Sequence, residues 1–229
     1  MAGRQARAQW QRKRYILVPI TVSSNLTPVH AVVPLSILEA VQHLDEPVED
    51  GLDEFHKELA VKRLGMSETV AAQIERYRRL SERSRRIDVE EVAALFRLVG
   101  RRSDAGLVFA DAGRRAGRHA VSGVSGAAAL ALIPDFARKG LGFSLARRAL
   151  RAFDAVLDRE GNAISGVITE PPSARSTPAG VGCGFYGSAM AEILRAVTDF
   201  DGAMFHVRCC SRGDSVCQWS SREDGKKAA

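Results

Sequence analysis

The stretch from Cys183 to Trp219 restricts the fold of this chain more than any other. All four cysteines lie in it, with one of the five histidines. Their order is Cys183, His206, Cys209, Cys217: 22 residues separate the first two, two the next pair, and seven the last, with Cys210 left over. Thiols and an imidazole spaced in this way suit a tetrahedral zinc shell of nitrogen and sulfur ligands. They also suit buried small hydrophobes, as free cysteines often are. Spacing alone leaves both readings open. A disulfide is disfavoured, since nothing marks the chain as secreted.

Local pattern brings the four side chains towards one place. Apolar residues at Met190, Ile193, Leu194 and Val197 predict a helix over 187–197, with Cys183 just before its start. AMFHVRCC reads as a strand, Gly213-Asp214 as a tight turn and VCQW as the returning strand. The hairpin holds His206, Cys209 and Cys217 near its tip. Strict alternation would put His206 and Cys209 on opposite faces, so a shared metal requires a bulge or an early strand end at 208–210.

The run C…Y-G-(helix)…H-V-R-C-C-S-R-G-D-S-V-C-Q-W resembles the C-terminal half of the 4-vinyl reductase domain, which also serves as the aromatic-sensing module of some bacterial transcriptional activators. The resemblance spans about 91–222. It implies that Cys183, His206, Cys209 and Cys217 hold a structural zinc, with His206 standing where the family has Glu. Cys210 would shorten the last gap to six and falls outside the implied set. The resemblance further implies an α+β fold: a small antiparallel sheet packed by helices, enclosing an apolar cavity for an aromatic or tetrapyrrole-like ligand. Alternation puts Met204 on the face of His206, and Phe136, Phe143 and Val167 join it as ligand-binding candidates by analogy. The function implied is a small-molecule sensor or carrier that forms homodimers. An enzyme or accessory factor of bacteriochlorophyll synthesis acting on a vinyl group is the alternative. A third reading is an assembly protein using an arginine-rich helix.

The enzyme reading lacks a cofactor motif. Gly182–Gly187 is formally G-x-G-x-x-G, but a Pro/Ser-rich loop precedes it where a dinucleotide site needs a strand. No catalytic residue is assigned.

With 45% hydrophobic and 26% charged residues the chain is globular. Its formal charge of +6 permits acidic partners without demanding nucleic acid, and no second helix stands at helix-turn-helix spacing. No apolar run approaches the ~20 residues that span a membrane, and a cytoplasmic protein is expected. The expected organisation is a mostly helical extension over 1–87, a domain over 88–222 and a disordered tail over 223–229. Within the extension, residues 1–14 form a basic tail, Tyr15–Val22 a short strand, a helix starts near Pro34, and an acidic loop covers 45–58. Ser67 caps a helix over 68–85 rich in arginine (Arg76, Arg78, Arg79, Arg83, Arg85). The apolar content of 15–40 suggests dimerisation through this extension. In the domain, Asp88 caps a helix, Gly113 and Gly117 let another backbone approach theirs, and His119 is a half-buried helical residue. Gly140-Leu141-Gly142 turns the chain. A helix then turns Leu145, Ala149, Phe153 and Val156 inward, Gly161-Asn162 ends it, and 163–170 is a strand.

Overall fold

The computed structural model of the chain describes residues 27–45, 68–127, 130 and 135–222; the side chains of Glu68 and of 135–139 lie outside that description. The expected basic tail, the Tyr15–Val22 strand, the acidic loop, the Ser67 cap and the 223–229 tail fall outside the described residues. No helix among the described residues is long and apolar enough to cross a membrane.

The architecture is α+β, with seven α-helices and two small antiparallel sheets among the described residues. Strand β1 (Val29–His30) leads into helix α1 (Val32–Asp45). Helix α2 (Glu68–Glu82) follows, and β2 (Arg86–Ile87) pairs with β1. Then come α3 (Val89–Val99), α4 (Ala105–Ser122) and α5 (Asp135–Leu150). Strands β3 (Val156–Glu160) and β4 (Ala163–Ile168) form a hairpin. Short α6 (Pro172–Ser176) and the long α7 (Gly184–Val197) precede β5 (Phe205–Arg208) and β6 (Cys217–Ser220). The second sheet runs β3-β4-β6-β5.

Asp88 caps α3 as expected: its carboxylate accepts from the Glu90 N–H at 2.7 Å. The centre of the fold is the contact between α4 and α7. A Cβ on Gly113 would lie 2.2 Å from the Phe185 carbonyl oxygen, and one on Gly117 2.9 Å from that of Ala189. The two glycines therefore bring the helix backbones together, which offsets the ~1 kcal/mol each costs against Ala in a helix. Around this contact Phe96, Phe109, Phe153, Phe185, Tyr186 and Trp219 form one aromatic cluster, with neighbouring ring centroids 5.0–6.4 Å apart. In the sheet, Leu157, Gly166, Trp219 and His206 stand in register across all four strands and face the helices. Gly166 leaves room there for the Met190 side chain.

Several expectations are corrected. The 87/88 boundary is not a packing boundary. Val32, Val33, Leu35, Ile37 and Ala40 of α1 are buried in the same core as α3, α4 and α7. The Arg102 guanidinium, which bonds Asp45 at 2.6 and 2.8 Å and Asp104 at 2.8 and 2.9 Å, further ties the end of α1 to the α3–α4 turn. Gly140-Leu141-Gly142 does not turn the chain but lies within α5. Gly142 sits where a Cβ would meet the Val197 carbonyl at 1.8 Å.

The helix expected to run through Val156 stops at Leu150. A short helical turn, Arg151–Phe153, and left-handed Asp154 (φ 52°) close it, with the Ala155 N–H donating to the Leu150 carbonyl at 3.2 Å. Leu145, Ala149 and Phe153 are buried as expected, whereas Val156 opens β3 and is 69% exposed. Gly161-Asn162 is the hairpin turn between Glu160 and Ala163 rather than a helix end. His119 is exposed and bonds Glu39 at 2.9 Å.

The arginines of α2 are largely engaged within the chain. Arg76 pairs with Glu91, Arg78 with Glu39 and Glu75, and Arg79 with Glu75, while Arg86 just beyond pairs with Asp154. Glu91 also accepts from the Tyr77 hydroxyl at 2.5 Å. The Arg76 bond holds the Glu91 carboxyl below its usual range, and burial with the Glu91 bond pushes Tyr77 up to about 12.

Two predictions follow from this packing. Gly113→Ala should destabilise the protein by about 1–3 kcal/mol in urea unfolding, because the new methyl meets backbone rather than a movable side chain. Gly106→Ala, with nothing within 4 Å of the new methyl, should be neutral or stabilise by up to ~1 kcal/mol; equal effects would contradict the close approach. For Glu91, a carboxylate depressed in the fold contributes stability above its unfolded value near 4.5, and that contribution is lost as pH falls through the lower folded value. Glu91→Gln should therefore cost roughly 0.2–1 kcal/mol at pH 7, since the pair is partly exposed, and should flatten the acid limb of the stability curve below pH ~4.5.

Candidate metal centre

Four elements converge on the cysteine cluster. Cys183 closes a helical turn (Pro178–Cys183) at the start of α7, and His206 lies on β5. Cys209 follows β5, and Cys217 opens β6 opposite Ile168 of β4. The ligand atoms of Cys183, His206, Cys209 and Cys217 all lie within 4.8 Å of one another. Sulfur atoms 2.3 Å from a central ion at tetrahedral corners stand about 3.8 Å apart, so a small contraction would close a shell. The four residues could hold a metal ion. Cys210 is outside the group; its N–H donates to the Cys217 sulfur at 3.3 Å.

The bulge that the sequence demanded is present. His206 pairs with Trp219 and Arg208 with Gln218, so two residues of β5 advance against one of β6. The extra residue restores Cys209 to the side of His206. Beyond it the chain wraps into a tight knuckle. The Asp214 carboxylate accepts from the Cys209 N–H at 2.6 Å, and the Cys209 carbonyl accepts from the Arg212 and Asp214 N–H groups at 2.9 and 3.2 Å. Gly213 takes φ 97° at its tip.

The chemistry of the donors fits a cation. His206 stacks on Trp219 with centroids 4.8 Å apart and planes 13° apart, which fixes its ring. Its Nε2 is buried without a hydrogen-bond partner, so the bond between the ring and the Arg208 backbone falls to Nδ1. An imidazole held at one nitrogen by backbone and bare at the other is the usual state of a metal-bound histidine. Burial, and then the Arg212 charge, lower the His206 pKa, which favours the neutral ring with a free lone pair. The hydrogen bond that the Cys217 thiol donates to Cys183, with burial, pushes that thiol up. Crowded thiols of this kind give up their protons to a metal, and binding is then coupled to proton release.

Sequence reasoning missed the surroundings of the sulfurs. The Ser173 hydroxyl lies 3.2 Å from the Cys183 sulfur and that of Ser211 2.8 Å from Cys209. Gly180, at φ 72°, roofs the cluster, and a Cβ there would sit 2.7 Å from the Cys209 sulfur. The only signal in the sequence was the run of small residues from Pro171 to Gly182, read as a plain loop. That run carries α6 and the turn before Cys183. No strand stands before Gly182–Gly187, as the dinucleotide motif would require.

The expected ligand-binding residues do not gather in one place. Met204 is buried and shares a shallow cleft of about 250 Å³ with His206 and Trp219. Phe143 lines a different cleft, of about 200 Å³, with Ile164 and Phe200. Val167 pairs with Val156 on the face of the sheet turned away from the helices, because alternation sends its neighbours Gly166 and Ile168 inward. Phe136 lies outside the residues whose side chains are described.

No family model, curated protein or solved structure matches the chain.

Metal titration of single variants checks the ligand set. Cys209→Ser should abolish stoichiometric binding of a thiophilic divalent ion, whereas Cys210→Ser should retain it. The reverse result would move the register of the hairpin by one residue.

Proposed function

We propose that this chain is a small-molecule binding module of the 4-vinyl reductase kind whose C-terminal hairpin is fastened by a structural zinc. The observation that carries the proposal is the convergence of Cys183, His206, Cys209 and Cys217, from four places in the chain, on one buried point. Three sulfur ligands and one imidazole favour zinc over the oxygen-seeking magnesium and calcium. Four protein ligands close the shell, and a catalytic zinc would leave one position to water. Three thiolates and a neutral ring around a dication carry one net negative charge, a poor setting for activating water.

Zinc then acts on the fold. It joins the start of α7 to the β5–β6 hairpin, and its binding energy becomes folding energy. The residues around it orient the shell: Trp219 stacks the imidazole, Ser173 and Ser211 meet sulfurs, and the Asp214 knuckle holds Cys209. Binding of a small molecule by the rest of the module is supported by a cavity of about 340 Å³ whose aliphatic and aromatic walls are edged by Thr27, Asp154, Thr169 and Glu170. No observation favours the vinyl-reducing enzyme or the assembly-protein reading.

Elemental analysis of protein purified without chelators should find one zinc per chain. Chelation should lower the melting temperature and release hydrogen-exchange protection in 205–220 before other strands. A fully folded, metal-free preparation with an unchanged melting curve would overturn the structural role. An oxygen ligand in the X-ray absorption spectrum would overturn the closed shell.

A further inference from the structure

Tyr186 is the buried polar group that the metal centre leaves without a task. It is 2% exposed and enclosed by Phe96, Phe153, Phe185 and Trp219. Its hydroxyl forms no hydrogen bond to another described residue, and the residue borders a cavity; a sealed, unpaired ring nitrogen nearby is Trp219 Nε1. Tyrosine in place of phenylalanine at such a position offers a donor that no described residue takes up.

The cavity of about 340 Å³ lies against this residue. Its apolar walls come from separate parts of the chain: Val29 of β1, Val33 of α1, Val89 of α3, Phe153 after α5, Ile168 at the end of β4, and Pro171 and Pro172 beyond it. These walls are apolar. The polar groups at its edge are Asp154 and Glu170, both held at positive φ (52° and 50°), with Thr27 and Thr169. Both carboxylates are already satisfied by cations of the chain, Asp154 by Arg86 at 2.7 Å and Glu170 by Arg175. Among the described residues the lining carries no cation, and the arginines that pair with the two carboxylates stand outside it, so the lining itself offers an anionic guest only carboxylates. A neutral guest meets apolar walls and the Tyr186 hydroxyl, with Thr27 and Thr169 at the edge.

We infer that this cavity is the ligand site of the module, and that it takes a neutral, mainly apolar molecule carrying one carbonyl-type oxygen that accepts a hydrogen bond from Tyr186. The inference rests on the proposed ligand-binding function and names its site and ligand class. A phenol is protonated at neutral pH, and burial pushes Tyr186 further up, so the hydroxyl is available as a donor. Tyr186 lies three residues after Cys183 on the first turn of α7, and its ring contacts Trp219, which stacks on His206. Metal and ligand thus share the element that positions the donor.

Acetophenone, benzoate and ethylbenzene are probes of similar shape that differ in the tested chemistry. Each is titrated into the full-length, zinc-loaded chain by calorimetry, with saturation-transfer NMR as a second readout. Acetophenone should bind saturably and tightest of the three. Tyr186→Phe, which keeps the packed ring, should weaken acetophenone by roughly two- to ten-fold, the loss of one hydrogen bond, and leave ethylbenzene unchanged. Phe143→Ala, in the other cleft, should leave all three unchanged.

Equal binding of acetophenone to wild type and Tyr186→Phe, or tighter binding of benzoate, overturns the site and its ligand class. If acetophenone binding is lost in Phe143→Ala instead, the ligand-binding function stands and the site assigned here falls. If no probe binds and mass spectrometry of natively purified protein finds no small molecule, site and function both fall. Tyr186→Phe melts as a check on folding, and Val33→Phe, which fills the cavity from the opposite wall, gives a second route to the same loss of acetophenone.

Discussion

Two helices meet closer than side chains would allow, and much of the molecule takes its position from that contact. Gly113 and Gly117 present bare backbone on α4, and the carbonyls of Phe185 and Ala189 on α7 occupy the space. The approach fixes α7 in both rotation and height. Phe185 and Tyr186 then point into the aromatic cluster, Met190 reaches the gap left by Gly166 in the sheet, and Cys183 emerges at the helix start facing the hairpin. A shift of α7 by one residue would turn each of these side chains by about 100°, the helical repeat. The Cys/His cluster and the aromatic core are therefore two consequences of one packing decision.

The segment that delivers Cys183 has little else to hold it. Between β4 and Cys183 the buried side chains are those of Pro171, Pro172, Ser173, Ala174, Ser176 and Thr177, with Gly180 and Gly182 beside them. Hydrophobic stabilisation scales with apolar area removed from water, at roughly 25 cal/mol per Å², and such small residues bury little of it. The Thr177 hydroxyl donates to the Ser173 carbonyl at 2.8 Å and accepts from the Gly182 N–H at 3.0 Å, so the turn is satisfied internally but weakly anchored. A metal bond at Cys183 offers an anchor of a different kind. Structural zinc contributes on the order of 10 kcal/mol or more in small zinc-binding folds, far above what Ser and Gly can supply by packing. Small residues are also what the sulfurs need, since Gly180 already stands where any side chain would press on Cys209.

The sequence disclosed those features whose cause is local. Helix α7 was legible from its apolar spacing, the Asp88 cap from its residue type, and the close approach at Gly113 and Gly117 from two glycines four apart in a helix. The four-residue cluster was legible because a hairpin tip and a helix start are both set by short-range pattern, and even the bulge followed from the clash between two-residue alternation and the H-x-x-C step. What was not legible depended on distant partners. Leu145–Val156 carries a helical period through a real strand boundary, and only the left-handed Asp154, bonded to Arg86 from β2, stops the helix there. The Gly161-Asn162 pair is a hairpin signal that was read as a helix end because the helix had been carried too far. Val167 entered by analogy with the family and not from local pattern, and alternation turns it to the face opposite Gly166 and Ile168. Residues 27–45 looked like an extension because their partners, α3, α4 and α7, lie 50 to 150 residues later.

His206 is where metal, sheet and aromatic core meet, and its identity has physical consequences. A carboxylate in its place would be charged, and under the Trp219 ring it would face the electron-rich π surface. An imidazole is planar, neutral when burial lowers its pKa, and stacks on the indole at 4.8 Å while offering Nε2 to the cluster. The stack passes from His206 through Trp219 to Tyr186, each ring within 6 Å of the next. Packed rings move together or not at all, because interiors at crystal-like density have no slack to absorb an independent tilt. A displacement of His206 would therefore be passed through Trp219 to Tyr186. Were an ion bound at His206 and a molecule against Tyr186, any coupling between the two events would be reciprocal, each changing the affinity for the other by the same factor.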